Sequence, residues 1–166
     1  MLFRSETETD FIDYHLKAGP STAQRHTLPG SRPGTVTLHY RETPRFFRLS
    51  AFQTGVSDTQ PPHTDPGMVD VQVDGQGRLM RFRAVPPDRV EPAAAVRPVD
   101  WNALFREAGL DPAEWREVTP ALTPPMAADA RSEWIEIQPA AGVKPLRAAA
   151  AAFDGRVVWF TLTGPW

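Results

Sequence analysis

The chain has 166 residues, a formal net charge of −2 at pH 7, 41% hydrophobic and 23% charged residues, 18 prolines and no cysteine. That length suits one domain or two small halves sharing a core. The charge balance removes the global basic field that draws a protein to nucleic acid, and the lack of cysteine excludes disulfides, thiolate chemistry and cysteine-ligated metals.

No run approaches the ~18–20 apolar residues of a membrane span. The start, Met1-Leu2-Phe3-Arg4-Ser5-Glu6, lacks a basic lead into an apolar stretch, so no signal peptide is expected. Residues 1–34 are polar and partly flexible by composition. Within them Phe11, Ile12 and Leu16 share one helical face, and Gly19-Pro20 would stop that helix. Thr35-Val36-Thr37-Leu38-His39-Tyr40 alternates and is β-branched, which predicts a strand with Val36, Leu38 and Tyr40 on one face. Pro44 interrupts it, and residues 45–49 would continue the sheet beyond the break. Residues 53–66 read as a polar, proline-rich loop.

A hairpin follows. Val69, Val71 and Val73 share one face and Asp70 and Gln72 the other; on the return strand Met80, Phe82 and Ala84 oppose Arg81 and Arg83. One buried apolar face and one wet polar face is the expectation for such an antiparallel pair. Asp74-Gly75-Gln76-Gly77 supplies the positive-φ residues of the connecting loop. Residues 88–99 form a Pro/Ala/Val linker. Trp101, Leu104, Phe105 and Ala108 then follow helical spacing behind Asp100 as N-cap, with Gly109 as the stop. Asp111-Pro112-Ala113-Glu114-Trp115 reads as a second short turn. Residues 133–137 read as a strand. The alanine run 148–152 favours helix by propensity. The Asp154-Gly155 turn and the strand at 157–162 argue instead for a second hairpin over 146–163.

The two hairpins look like copies of one unit: an extended run, an Asp-Gly turn, an arginine and a second run rich in Val, Phe or Leu. The expected fold is therefore α+β, with tandem duplicated modules of antiparallel three-stranded sheet, the second carrying a packed helix. The expected boundaries are 1–34, a first sheet module at 35–87, the linker at 88–99, and a helix-plus-sheet module at 100–166.

The chemistry-bearing residues do not assemble into a motif. His15, His26, His39 and His63 have no metal-ligand spacing. Asp65, Asp70 and Asp74 lie near one another, but Asp74 and Asp154 fit turn positions, and Asp111 precedes a proline turn. Gly75-x-Gly77 lacks the third glycine and the following helix of a nucleotide fingerprint. Arg78, Arg81 and Arg83, with Arg41, Arg45 and Arg48, would make a basic sheet face, with Phe46 and Phe47 as stacking groups. The competing reading pairs Arg81 or Arg83 with Asp70 across strands. Of Trp101, Trp115, Trp134, Trp159 and Trp166, core packing accounts for at least three, and an exposed pair would line a groove. No catalytic, cofactor-binding or metal residue is assigned.

Four stretches carry a resemblance: RPGTVTLHYRETPR at 32–45, PGMVDVQVDGQGRLMRFRAVPP at 66–87, DWNALFREAGLDP at 100–112 and FTLTGPW at 160–166. Together, over roughly residues 30–166, they resemble the region that follows the kinase core and a transmembrane helix in multi-domain bacterial serine/threonine protein kinases of the acidobacterial kind. The repeated unit is more weakly similar to PepSY-type modules. This chain has no kinase catalytic loop, magnesium-binding motif or glycine-rich nucleotide loop, so no kinase residue is carried over. The resemblance implies a non-catalytic regulatory or sensory appendage at the bacterial envelope, tethered through a parent transmembrane helix with this part on the extracytoplasmic side. Its partner would be the parent kinase, or a protein or peptide, with no nucleic acid and no cofactor. The alternatives are a free-standing peptide-binding module that adds a strand to an open sheet edge, and a hydrolase that uses a converging histidine and carboxylate.

Overall fold

A computed structural model describes residues 2–17, 34–46, 57, 59–89, 97–139 and 144–166. The expectations placed on His26, Phe47, Arg48 and most of the 88–99 linker lie outside the described residues. The strands are β1 (Leu2–Thr7), β2 (Val36–Glu42), β3 (Val69–Asp74), β4 (Leu79–Ala84), β5 (Trp115–Val118), β6 (Ala130–Glu136), β7 (Arg147–Phe153) and β8 (Arg156–Thr163); the helices are α1 (Thr9–Lys17) and α2 (Trp101–Glu107). All eight strands belong to one antiparallel sheet, in the order β1-β2-β3-β4-β8-β7-β6-β5. The class is α+β. The segments read as three-stranded modules are parts of this continuous sheet, with β1 added outside β2 and β5 added outside β6.

Local chemistry accounts for the element boundaries. The Asp100 carboxylate accepts the Ala103 N–H at 3.1 Å, capping α2. Its C-terminus closes with Gly109 N–H on Arg106 O (2.9 Å) and Leu110 N–H on Phe105 O (2.8 Å), Gly109 lying at φ 58°. These are the two bonds of a Schellman stop, and buried Leu110 completes it. Asp111 caps a 3-10 turn, Pro112–Glu114, as the proline turn predicted. In the β7–β8 hairpin both turn residues are left-handed, Asp154 at φ 51° and Gly155 at φ 75°. This is the geometry whose twist matches the flanking strands. β2 ends at Glu42, just before Pro44. Arg45 and Phe46 lie outside any strand, so the expected continuation of the sheet is absent there.

Each half is a four-strand meander, and the halves join in the sheet where Arg81, Phe82 and Arg83 of β4 pair with Thr161, Phe160 and Trp159 of β8. Each inner hairpin carries one bulge, the extra residue being Met80 in β4 and Val158 in β8. Counting from the bulges, Phe82 corresponds to Phe160, Arg81 to Trp159 and Arg83 to Thr161. Exchanging the halves therefore maps the seam onto itself, an approximate twofold in register centred on Phe82 and Phe160.

The halves bury different things. In the second half, Phe105, Leu104, Trp115 and Trp134 pack on Ala148, Ala150 and Phe160 from the α2 side, while Met126 and Ala128 cover Ala149, Ala151 and Trp159 on the other. A strand sandwiched closely on both faces needs small side chains, which explains five consecutive buried alanines forming β7 against their helix propensity. In the first half the expectation of a dry apolar face and a wet polar face is reversed. Thr37, His39, Arg41, Asp70 and Asp74 are all buried, while Val36 and Leu38 are exposed and Val69, Val71 and Val73 are only half-buried. The chain between Ser57 and His63 comes down on the polar face through Arg41 and Asp70, and no helix like α2 appears on the valine face among the described residues.

Candidate functional site

The seam fails to zip at one end, and the sequence says why. Beyond Arg83 the β4 chain runs through Val85 into Pro86-Pro87, which offer no N–H to a neighbouring strand. Val85 is tied instead to the β3 side, its N–H donating to Met68 O and its carbonyl accepting from Gly67 N–H, both at 2.9 Å. On the other side the bulge at Val158 bends β8 away. The result is a notch of about 420 Å³ between the two halves, walled by Pro66, Ala84, Pro86 and Pro87 from one and Phe153 and Val157 from the other. That volume falls in the roughly 300–1,000 Å³ range of small-molecule sites. Among the described residues Arg156 is the one ionisable side chain lining it.

The opposite end of the seam is also open, but smaller. There a cavity of about 140 Å³ is lined by Met80, Arg81, Thr161, Leu162 and Trp166. Trp166 folds back over Gly164, where an added Cβ would lie 2.0 Å from the indole. The same ring meets Phe11 of α1 edge-on, the two centroids 5.0 Å apart. Glu8 closes this end by accepting from Thr37 Oγ1 and Gln72 Nε2, each at 2.8 Å.

The buried polar face gathers most of the residues singled out from sequence. Asp70 is fully buried and faced by an imidazole and two guanidinium groups: His63 Nε2 at 3.5 Å, Arg81 Nε at 3.7 Å and Arg41 Nε at 3.9 Å. Those are ion-pair distances, too long for good hydrogen bonds. Burial pushes the Asp70 carboxyl up, but the facing His63 ring and the Arg81 and Arg83 charges overcome it and leave the group below its ordinary value. Arg83 lies directly across from Asp70 in register, so the cross-strand pairing expected of this patch is present. Arg41 is also anchored to the backbone, donating to the carbonyls of Ser57, Gln60 (3.1 Å) and Pro61 (2.7 Å). A side chain so enclosed is no part of an open basic platform.

Asp74 is a turn carboxylate: it accepts from the N–H groups of Gln76 (2.9 Å) and Arg78 (3.0 Å) and from Arg78 Nε (2.6 Å). Asp154 is held by Arg97 at 3.4 Å. His39 lies 3.3 Å from Glu6, and His15 packs on Phe11 and Tyr14, burial holding its imidazole below the usual value. Although His63 and Asp70 converge, neither lines the notch or the cavity opposite. Among the described residues no three His, Cys, Asp or Glu side chains gather as metal ligands. No helix among them is long and apolar enough to cross a membrane.

Trp101, Trp115 and Trp134 are core residues in mutual or Phe105-mediated edge contact. They also wall a cavity of about 340 Å³ at the start of α2. Sequence reading missed the notch. Its signal was present in Pro86-Pro87 following a strand, a pattern that ends pairing on one side only. No family model matches the chain, and neither a curated protein nor a solved structure is detectably similar to it.

Proposed function

We infer that this chain is a non-catalytic sensory or regulatory domain of a membrane-anchored bacterial serine/threonine kinase, built from two related sheet modules, that takes a ligand into the notch between them. The observation that carries the reading is the notch: a cavity of about 420 Å³, mostly apolar and lined by residues of both halves. The likeness of residues 30–166 to the region beyond the kinase core supplies the parent. The halves are joined by three residue pairs along the seam. A ligand wedged beside that ladder bears on the angle between them, and a difference in its affinity for two such angles is what a sensor needs. Strand addition at the β5 edge draws less support, since β5 has only four residues and exposes Arg116 and Glu117, a short charged edge of the kind that resists further pairing.

The test uses the complete reading frame containing residues 1–166, expressed in membranes. Ala84→Phe, which fills the notch, is expected to change autophosphorylation at least threefold with protein levels unchanged. A reading frame without a kinase core, or equal autophosphorylation in both proteins, overturns the reading.

A further inference from the structure

The two ends of the seam are related by the approximate twofold, yet they are finished differently. At one end the chain supplies an indole, that of Trp166, to wall the space down to about 140 Å³. At the other, the equivalent stretch runs Val85-Pro86-Pro87-Asp88, supplies no ring, and leaves about 420 Å³. The open end has the lining of an aromatic site. Prolines and the Phe153 ring give flat apolar walls, and with two prolines in the β4 wall there are few N–H donors. A peptide would bring one N–H and one C=O per residue into that wall and find little to satisfy them. A compact ring system brings at most one such group.

The notch also carries one charge without its opposite. Arg156 is exposed at its rim. The nearest acid in sequence, Asp154, is engaged by Arg97 at 3.4 Å and sits in the left-handed turn. Among the described residues no acidic side chain lines the notch and Arg156 has no ion-pair partner. An arginine fork presented beside apolar walls is matched by a carboxylate.

We propose that the notch between β4 and β8 is a binding site for a small aromatic monocarboxylate, its ring between the proline wall and Phe153 and its carboxylate on Arg156. This rests on the reading of the notch as the ligand site and adds the chemical class. Arg156 is a specificity residue here; the apolar walls supply the remaining affinity.

Calorimetric titration of the 166-residue chain with indole-3-propionate and with neutral 3-methylindole tests it. The expected result is that indole-3-propionate binds the wild type more tightly than 3-methylindole does. Arg156→Gln weakens the acid at least tenfold and leaves 3-methylindole unchanged. Ala84→Phe weakens both at least tenfold, and added salt weakens only the acid. Arg156 is exposed, so its variant folds, and the thermal midpoint checks the Ala84 variant. If both compounds bind the wild type and Arg156→Gln alike, the carboxylate assignment is overturned while the notch survives as an apolar site. If the acid binds the Ala84→Phe variant undiminished, or neither compound binds the wild type, the proposal falls together with the notch.

Discussion

Arg41 and Glu133 occupy corresponding places in the two halves, two strands out from the seam and on the same face of the sheet. Arg41 lies opposite Asp70, and Glu133 opposite Ala149. Each is buried, and each ties a connecting segment to the sheet by its backbone. Arg41 donates to the carbonyls of Ser57, Gln60 and Pro61, whereas Glu133 accepts the N–H groups of Ala121 (2.7 Å) and Leu122 (3.3 Å). The charges are answered differently. Glu133 receives two bonds from Arg147, at 2.9 and 2.7 Å. Asp70, the counter-charge of Arg41, lies 3.9 Å from Arg41 Nε, 3.7 Å from Arg81 Nε and 3.5 Å from His63 Nε2. The second half is thus held by apolar packing plus a saturated carboxylate, and the first by a looser layer of charge.

Removing core volume gives the largest contrast. Phe160 is fully buried and Phe82, its counterpart across the seam, only partly so. Phe160→Ala is expected to cost about 3–5 kcal/mol, and Phe82→Ala roughly half that, by urea unfolding. Equal costs would erase the asymmetry. Next come the carboxylates. Glu133→Gln breaks a charge-assisted network and leaves Arg147 unanswered, for about 3 kcal/mol. Asp70→Asn loses ion pairs that lack good hydrogen bonds, for about 1–2 kcal/mol, because Arg41 keeps its carbonyl partners. An inverted order would show that the ion pairs of Asp70, not the hydrogen bonds, stabilise more.

The pH dependence sharpens this. For Glu133, burial pushes the carboxyl up, but the backbone donors and Arg147 more than offset it, so both Glu133 and Asp70 titrate below their ordinary range in the folded protein. A depressed carboxyl stabilises the fold fully above its unfolded pKa of about 4 and loses that contribution as pH falls through the lower folded value. Stability of the wild type should therefore drop below about pH 4. The drop should be shallower in an Asp70→Asn, Glu133→Gln double variant, as equilibrium unfolding measured from neutral to acid pH would show. The smallest effect is on the open valine face: Leu38→Lys should change stability by less than about 0.5 kcal/mol. A loss several times larger would mean that this face is covered.

Much of the sheet was legible from side-chain periodicity and turns. The alternation at 35–40, the Asp-Gly turns and the caps at Asp100 and Gly109 each have one conformation that satisfies them locally. β1 was not legible, because Arg4-Ser5-Glu6-Thr7 is polar on both faces and is a strand only by pairing with β2. β5 was hidden for a related reason: four residues directly after a 3-10 turn carry too little period to read. The buried polar face of β2 and β3 ran against the simplest rule, since a face of Thr, His, Arg and Asp reads as wet until a loop's carbonyls are known to cover it. The notch depends on where two distant segments stop pairing, and Pro86-Pro87 marks that point on only one of them.

The contrast between the halves is tested most directly by native-state amide hydrogen exchange on the whole chain. Amides of β7 and the paired part of β8 should exchange only through global unfolding, while those of β2 exchange at least tenfold faster through local opening. Uniform protection across β2, β7 and β8 would contradict the account.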